Sequence, residues 1–343
     1  MRWFKRKSKP ESISDPEPRI KRRIVATIGN TGHGKTTFLA GTYWDGVRTL
    51  ARTFNDERYS YFIGSVQRDK NETRFKVFHN NASRLSKKLL PSTTAQVPGE
   101  PAPMRFNNVP NCHNQRASID LVFYDVAGDS FTTYKEIERL APFIAEANDF
   151  IFLFDPTKED FGPFGALKLV ELIKNSAGGG QGKNFVVVLT QIDKLFERDE
   201  WWKSIEKEFP DKPPGLLSPV GYFSRMSDPA QELVDLPDYL QQMDALSDKL
   251  REWWEADEQG AAMVVSTLRA DAPEHVHFCA VSALGQQPVW DCRKCQKTNL
   301  DTLETCEQCH DARKDAELRL ADYPKPYHVR DPLFWIFREA GVM

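Results

Sequence analysis

The run Ile24-Val25-Ala26-Thr27-Ile28-Gly29-Asn30-Thr31-Gly32-His33-Gly34-Lys35-Thr36 decides how the rest of the 343-residue chain is read. Residues 24–28 are apolar and largely β-branched, as in a short buried strand. Gly29 to Thr36 then fits the pattern G-x-x-x-x-G-K-[ST], and Phe38, Leu39, Tyr43, Val47 and Leu50 recur behind it at helical spacing. Strand, glycine-rich loop and helix stand in the order that a phosphate cradle requires. The glycines let successive N–H groups turn toward an anion at the positive end of the helix. Lys35 would reach the β- and γ-phosphates of a nucleotide, and the Thr36 hydroxyl would ligate Mg²⁺. The candidate phosphate-binding residues are therefore Gly29, Asn30, Thr31, Gly32, His33, Gly34, Lys35, Thr36 and Thr37, with no role for the His33 side chain.

Three more strand ends follow. Residues 118–124 (SIDLVFY) alternate, turn apolar and lead into Asp125-Val126-Ala127-Gly128. A carboxylate in that place would hold Mg²⁺, and Gly128 would offer its N–H to the γ-phosphate. Residues 185–190 (FVVVLT) lead into Gln191-Ile192-Asp193, and residues 277–281 (HFCAV) into Ser282-Ala283-Leu284. With these elements the chain resembles the P-loop GTPases of the translation-factor and Ras-like class, over residues 22–286 and the C-terminal segment. More narrowly it is similar to the bacterial double-GTPase group, through Phe150–Phe154 followed by Asp155-Pro156 and through Asp331-Pro332-Leu333-Phe334-Trp335. The resemblance implies an α/β fold, a P-loop GTPase-like mostly parallel sheet with helices on both faces. It also implies that Asp193 pairs with the guanine N1 and N2 donors, with Gln191 beside it. The turn Ser282-Ala283-Leu284 would contact the base through its backbone. A cytoplasmic switch in a bacterial signalling or conflict system is the functional expectation.

Departures from the family pattern refine that expectation. Relatives carry Asn-Lys-x-Asp where this chain has Thr190-Gln191-Ile192-Asp193. The Asn that braces the loop and the Lys whose stem lies along the base are both missing, so guanine stays preferred but weaker binding is expected. Asp129 stands where many relatives place the Gln that orients water. Shorter and charged beside phosphate, it predicts slow turnover or help in trans. The threonine that closes over Mg²⁺ is sought in Pro91-Ser92-Thr93-Thr94, with Thr94 the candidate. Segment 91–110 holds five prolines and reads as a mobile loop. The catalytic candidates are thus Lys35, Asp129 and Thr94, the Mg²⁺ set is Thr36, Asp125 and Thr94, and the nucleotide is GTP or GDP. Two alternatives stay open. Asp129 and the altered base motif favour a nucleotide-binding scaffold without turnover, and Gln191 leaves room for an ATPase.

Four of the six cysteines, Cys292, Cys295, Cys306 and Cys309, fall within 18 residues. Two Cys-x-x-Cys pairs in an otherwise cysteine-poor chain can place four thiolates around Zn²⁺. All four positions would be filled by protein, so the zinc is structural. With Trp290 and Asn299, the spacing resembles the zinc fingers of the Ran-binding-protein family. Some of that family bind single-stranded RNA and others ubiquitin. Here the corresponding stretch Gln296-Lys297-Thr298-Asn299 lacks the Thr-Phe pair, and the loop 300–305 is acidic without arginine. A finger that docks protein, or is purely structural, is expected in place of one that binds nucleic acid.

Charge and composition bound the rest. The chain is 40% hydrophobic and 28% charged with net charge -3, yet residues 1–23 carry +6 and the remainder -9. No apolar run approaches the roughly 18 residues of a membrane span. The basic leader lacks an apolar signal region and reads as a disordered tail over residues 1–21, able to touch anionic surfaces. Residues 22–286 form the GTPase-like domain, with a switch-region insertion at 44–110 and a helical insertion at 196–272. In the latter, Leu240, Met243, Leu246, Leu250 and Trp253 make an apolar stripe, a candidate face for protein partners. The finger occupies 287–312. Residues 313–343 close the domain with a helix for which Asp331 is the expected N-cap and Pro332 the first position.

Overall fold

Two strands with no polar interruption set the centre of the molecule. DFIFLF and NFVVVL are buried at every position, which only a strand covered on both faces tolerates. The computed structural model describes residues 20–29, 32–48, 62–65, 72–92, 102–109, 117–125, 145–155, 182–194, 236–256, 266, 275–301, 303–313, 317–324 and 326–343. Along the chain they form β1 (Lys21–Ile28), α1 (Lys35–Arg48), β2 (Phe62–Ser65), α2 (Glu72–Ser86), β3 (Ala102–Val109), β4 (Ala117–Asp125), β5 (Asp149–Phe154) and β6 (Asn184–Leu189). There follow α3 (Leu236–Ala256), β7 (Val276–Ala280), β8 (Val289–Asp291), β9 (Thr298–Leu300) and α4 (Asp331–Glu339).

The sheet has seven strands in the order β2-β3-β4-β1-β5-β6-β7. All neighbours from β4 to β7 pair in parallel, and β3 alone runs against them. The order reverses at β1, whose partners β4 and β5 lie on opposite sides. In open α/β sheets, ligands bind outside the carboxyl ends of strands at such a switch point. Here that edge collects Gly29, Asp125, Asp155, Gln191 and Ser282.

One face of the sheet is covered by α1 and α4. Phe38, Leu39, Tyr43 and Trp44 of α1 join Leu333, Phe334, Ile336 and Phe337 of α4 in a core built on Val25, Ile151, Val186 and Val188. The side chains of Asp45 and Arg330 bond the two helices together. The opposite face carries Phe150, Phe152 and Phe185, buried and stacked with ring centroids 5.4 to 6.5 Å apart. The expectation of helices over that face falls outside the described residues. The expected amphipathic helix is α3, which covers the free edge of β7. Its Ser247 Oγ accepts the Phe278 amide at 2.9 Å, and Leu240, Met243, Leu246 and Leu250 are buried. No helix among the described residues is long and apolar enough to cross a membrane.

Two sequence expectations are corrected. Segment 91–110 is not a loop throughout: residues 102–109 are β3, with Pro103, Met104, Phe106 and Val109 buried and a register shift between Phe106 and Val109. Pro103 is the second residue of the strand, and Pro101 and Pro110 flank its ends, where a missing N–H is tolerated. Within 44–110, residues 62–65 and 102–109 are strands of the sheet and 72–86 are helix α2, while α1 runs on to Arg48. Asp331 is the first residue of α4 and not its cap; Arg330 holds the cap position without a side-chain bond, and the Asp331 carboxylate turns inward to His328 Nδ1 at 2.6 Å.

His277 lies flat on Trp335, centroids 3.7 Å apart and planes 8° apart. Its Nε2 is buried without a hydrogen bond, for Glu339 Oε1 stands 3.6 Å away. Burial, with the nearby Arg338 charge, lowers its pKa to about 3. The unfolded chain takes up a proton there below the ordinary value near 6.5 while the folded chain does not, so stability falls as pH drops from that value toward the folded one. His277→Phe, which keeps the stack, should remove about 2 kcal/mol of the stability lost between pH 8 and pH 5. Urea unfolding of both proteins across that range measures it, and parallel stability curves would refute the assignment.

Candidate functional site

At the carboxyl edge of the sheet, β1 turns straight into α1 through the glycine-rich loop. Gly29 leaves no room for a side chain: a Cβ there would lie 2.7 Å from the Leu153 carbonyl oxygen of β5. Gly32 and Gly34 have φ of 83° and 81°, a backbone that L side chains avoid. Alternating such residues with right-handed ones turns neighbouring N–H groups to one side, which makes a concave anion seat. Helix α1 opens with the Phe38 N–H bonded to the Gly34 carbonyl at 2.7 Å. Lys35 reaches back across the loop, its Nζ 2.6 Å from the Gly29 carbonyl oxygen.

The loop is braced from behind, contrary to the sequence expectation. Thr190, in the place of the missing Asn, donates its hydroxyl toward the carbonyls of His33 and Phe154, both at 3.0 Å. Gln191, itself at φ 55°, donates its amide to the Gly32 carbonyl at 3.2 Å and to Asp155 Oδ2 at 2.7 Å. The His33 side chain also has a role: it is 2% exposed, with Nδ1 3.0 Å from the Leu153 carbonyl. Thr190, the fully buried Asp155 and the side chain of His33 thus brace the loop in roles that the sequence reading did not give them. The sequence held a signal for Asp155 alone, a carboxylate directly after an apolar strand.

The expected base-recognition residues come together. Ile192–Lys194 form a short 3-10 turn after β6, docked on the end of β7 by the Ile192 N–H to the Val281 carbonyl. Burial pushes the Asp193 carboxyl up, and a hydrogen bond with the Ser282 side chain pulls it part of the way back. Ser282 Oγ accepts the Gly285 N–H at 2.9 Å, so the turn Ser282-Ala283-Leu284 is closed on itself. The turn packs hard on α1: a Cβ on Gly41 would meet the Ala283 carbonyl oxygen at 2.6 Å. In the β1–β4 ladder Thr27 lies opposite Asp125, which brings Asp125 to the sheet edge beside the loop. The side chain of Asp125 lies outside the described residues, as do Asn30, Thr31, Thr93, Thr94, Gly128 and Asp129.

The four-cysteine module is the second candidate centre. The Sγ atoms of Cys292, Cys295, Cys306 and Cys309 all lie within 4.8 Å of one another. The pairs Cys292–Cys309 and Cys295–Cys306 are 3.5 and 3.4 Å apart, close to the about 3.8 Å edge of a Zn–S tetrahedron. The two halves repeat one local design. In the first, Cys292 N–H bonds the Lys297 carbonyl and Gln296 N–H bonds the Cys292 carbonyl; in the second, Cys306 N–H bonds Asp311 and His310 N–H bonds Cys306. Gln296 and His310 both take positive φ, 60° and 56°. Trp290, buried against Cys292 and Cys306, supplies the module's small core and donates Nε1 to the Leu300 and Leu303 carbonyls. Asn299 ties the halves together, its Oδ1 accepting the Glu307 N–H at 3.1 Å.

Crowding spreads the acidities of these thiols. Burial opposes ionisation of Cys306, but the N–H groups of Cys309 and Gln308 and the neighbouring thiols bring it down to about 6. Cys309, although it accepts the Asp311 N–H, is pushed up to about 12 by burial and by the other three sulfurs. One cation would replace the protons that the four sulfurs otherwise share, and the group can hold a metal ion such as zinc. No protein-family model matches the chain, and no curated protein does. The functional reading therefore rests on the residues and their placement.

Two outcomes follow from this geometry. Gly41→Ala would normally gain helix propensity, yet it should destabilise the chain by about 1–3 kcal/mol because the Ala283 backbone must move; a rise in the urea midpoint would contradict it. The purified chain should carry about one equivalent of zinc by elemental analysis, and Cys306→Ser should lose it, since structural zinc in such modules contributes on the order of 10–16 kcal/mol of folding.

Proposed function

We propose that the chain is a Mg²⁺-dependent guanine-nucleotide switch with slow turnover, acting in the cytoplasm and read by protein partners. The observation that carries this reading is the pairing of two sites on the same edge of the sheet, at the ends of β1 and β6. A braced, glycine-shaped loop at the start of α1 shares that edge with a half-buried carboxylate, Asp193, backed by the Ser282–Leu284 turn.

The division of labour follows from charge and position. The loop from Gly29 to Thr37, with Lys35, would bind the phosphates. Thr36 and Asp125, joined by Thr94, offer the hard oxygen donors that Mg²⁺ prefers. Bound Mg²⁺ would supply charge neutralisation on the phosphate oxygens. Asp193, partly desolvated in the protein, has lone pairs suited to the N1 and N2 donors of guanine, and binding should weaken as pH falls through its raised pKa because the ionised form is lost. Gln191 faces the Gly32 carbonyl and Asp155, which makes it a positioning residue for the loop. The four-cysteine module and α3 would present the nucleotide state to partners, with the basic tail free to touch anionic surfaces. A scaffold that binds without turnover is the second reading, favoured by Asp129 in place of a water-orienting Gln.

Binding and hydrolysis of GTP and ATP with Mg²⁺ test this directly. Selective GTP binding with slow turnover is expected. Lys35→Ala should weaken it at least about tenfold through loss of a charged hydrogen bond. Asp193→Asn should erase the preference for GTP, by about tenfold to a hundredfold. Tight binding with no turnover would select the scaffold, and a preference for ATP would overturn the role of Asp193.

A further inference from the structure

The stretch that follows β7 serves two purposes at once. Residues 282–284 are the turn beside Asp193, and from there the chain bends through residues 283–286 and enters β8 and Cys292. The chain then returns along that stretch. At the near end, Ser282 and Tyr327 exchange both backbone bonds, at 3.1 and 2.7 Å. At the far end, Val289 and Arg319 do the same, at 2.8 and 2.9 Å. Between them the Gln286 side chain holds the return segment: Nε2 donates to the Asp322 and Tyr323 carbonyls, and Oε1 accepts the Asp322 N–H.

The far end of this ladder is fixed by the four-cysteine module. Asp291, one residue before Cys292, receives two bonds from the Arg319 guanidinium at 2.8 and 2.7 Å and one from the Thr298 hydroxyl at 2.6 Å. Thr298 belongs to β9, which pairs with β8 inside the module. The module has little apolar core besides Trp290 and the cysteines, so a metal ion decides whether it is folded. With the metal, the loop 292–318 is short-circuited and the two segments are brought together at both bridges. Without it, the ladder must be closed across a long flexible loop, at an entropic cost.

We infer that the four-cysteine centre is an effector site for the base end of the nucleotide site, its metal occupancy setting how firmly the Ser282–Leu284 turn is held against Asp193 and Gly41. The inference rests on the guanine reading for its consequence but on the ladder alone for its mechanism. Because coupling between two ligands is reciprocal, nucleotide must tighten the metal by the same factor that the metal tightens nucleotide.

The experiment uses the full chain in its zinc-loaded form and after removal of zinc by a chelator, with zinc restored as a control. Affinities are measured for GDP and for inorganic pyrophosphate, and amide exchange is followed at Ser282, Gly285 and Tyr327. We expect zinc removal to weaken GDP by about fivefold or more, within the usual range of coupling between sites, while pyrophosphate changes little. The equilibrium affinity for zinc, read by competition with a chelating dye, should rise by the same factor when GDP is bound. Gln286→Ala, which leaves all four cysteines in place, should shrink that factor toward one. Equal losses for GDP and pyrophosphate, or none for either, overturn the inference. If no nucleotide binds in either state, the guanine reading fails by itself. Amide exchange then decides: faster exchange at the three residues without zinc upholds the coupling, and unchanged protection overturns it.

Discussion

The contact between Gly29 and the Leu153 carbonyl is the constraint on which the rest of the site depends. A strand in the middle of a parallel sheet has a partner on each side, so its exit has no free flank along which to turn. Here β1 leaves the sheet with its backbone pressed on β5, at a distance that excludes any Cβ. Two further glycines at positive φ then reverse the chain into α1. The same tightness lets hydrogen bonds from other strands reach the loop. Thr190 and Gln191 come from the end of β6 and His33 docks on β5, so the loop is fixed by three neighbours before any ligand is considered.

What was legible in the sequence was whatever is decided locally. The strand-loop-helix unit was legible because its glycines and its lysine each answer a backbone or charge requirement within eight residues. The central strands β5 and β6 were legible because complete burial leaves an unbroken apolar run. The four cysteines and Trp290 were legible because metal ligation fixes spacing. What escaped was decided at a distance. The β3 strand is masked by Pro101 and Pro103, although Met104 and Phe106 alternate toward the core; its identity comes from pairing with β4. Asp331 follows a cap rule on paper, but the buried His328 claims its carboxylate. The braces from Thr190 and His33 end on main-chain carbonyls of other elements, and no pattern of side chains announces a carbonyl.

Polar groups in the interior are treated in two different ways. Near the entry end of the sheet they are paired among themselves: Arg23 clasps the buried Asp149 with two bonds, and Asn184 adds a third. Burial still pushes the Asp149 carboxyl up, so this cluster is a structural tie of modest benefit at best. At the carboxyl end the polar groups point at backbone, holding the loop and the 3-10 turn after β6 in shape. One end of the sheet therefore uses polarity to close itself, and the other uses it to stay shaped while facing outward.

The bond between Asp45 and Arg330 joins residues 285 positions apart, and Lys21 donates to the Ala340 carbonyl across 319. Helix α1, which carries the loop, is thus completed by the last helix of the chain. During synthesis α1 can pack early on α2 and the first strands, yet its Asp45 has no partner in Arg330 until that distant residue has been made. Contacts of such long sequence separation form late because a large loop must close first. The last ties on α1 and β1 therefore close late, when residues 330 and 340 reach the sheet that already carries Asp45 and Lys21.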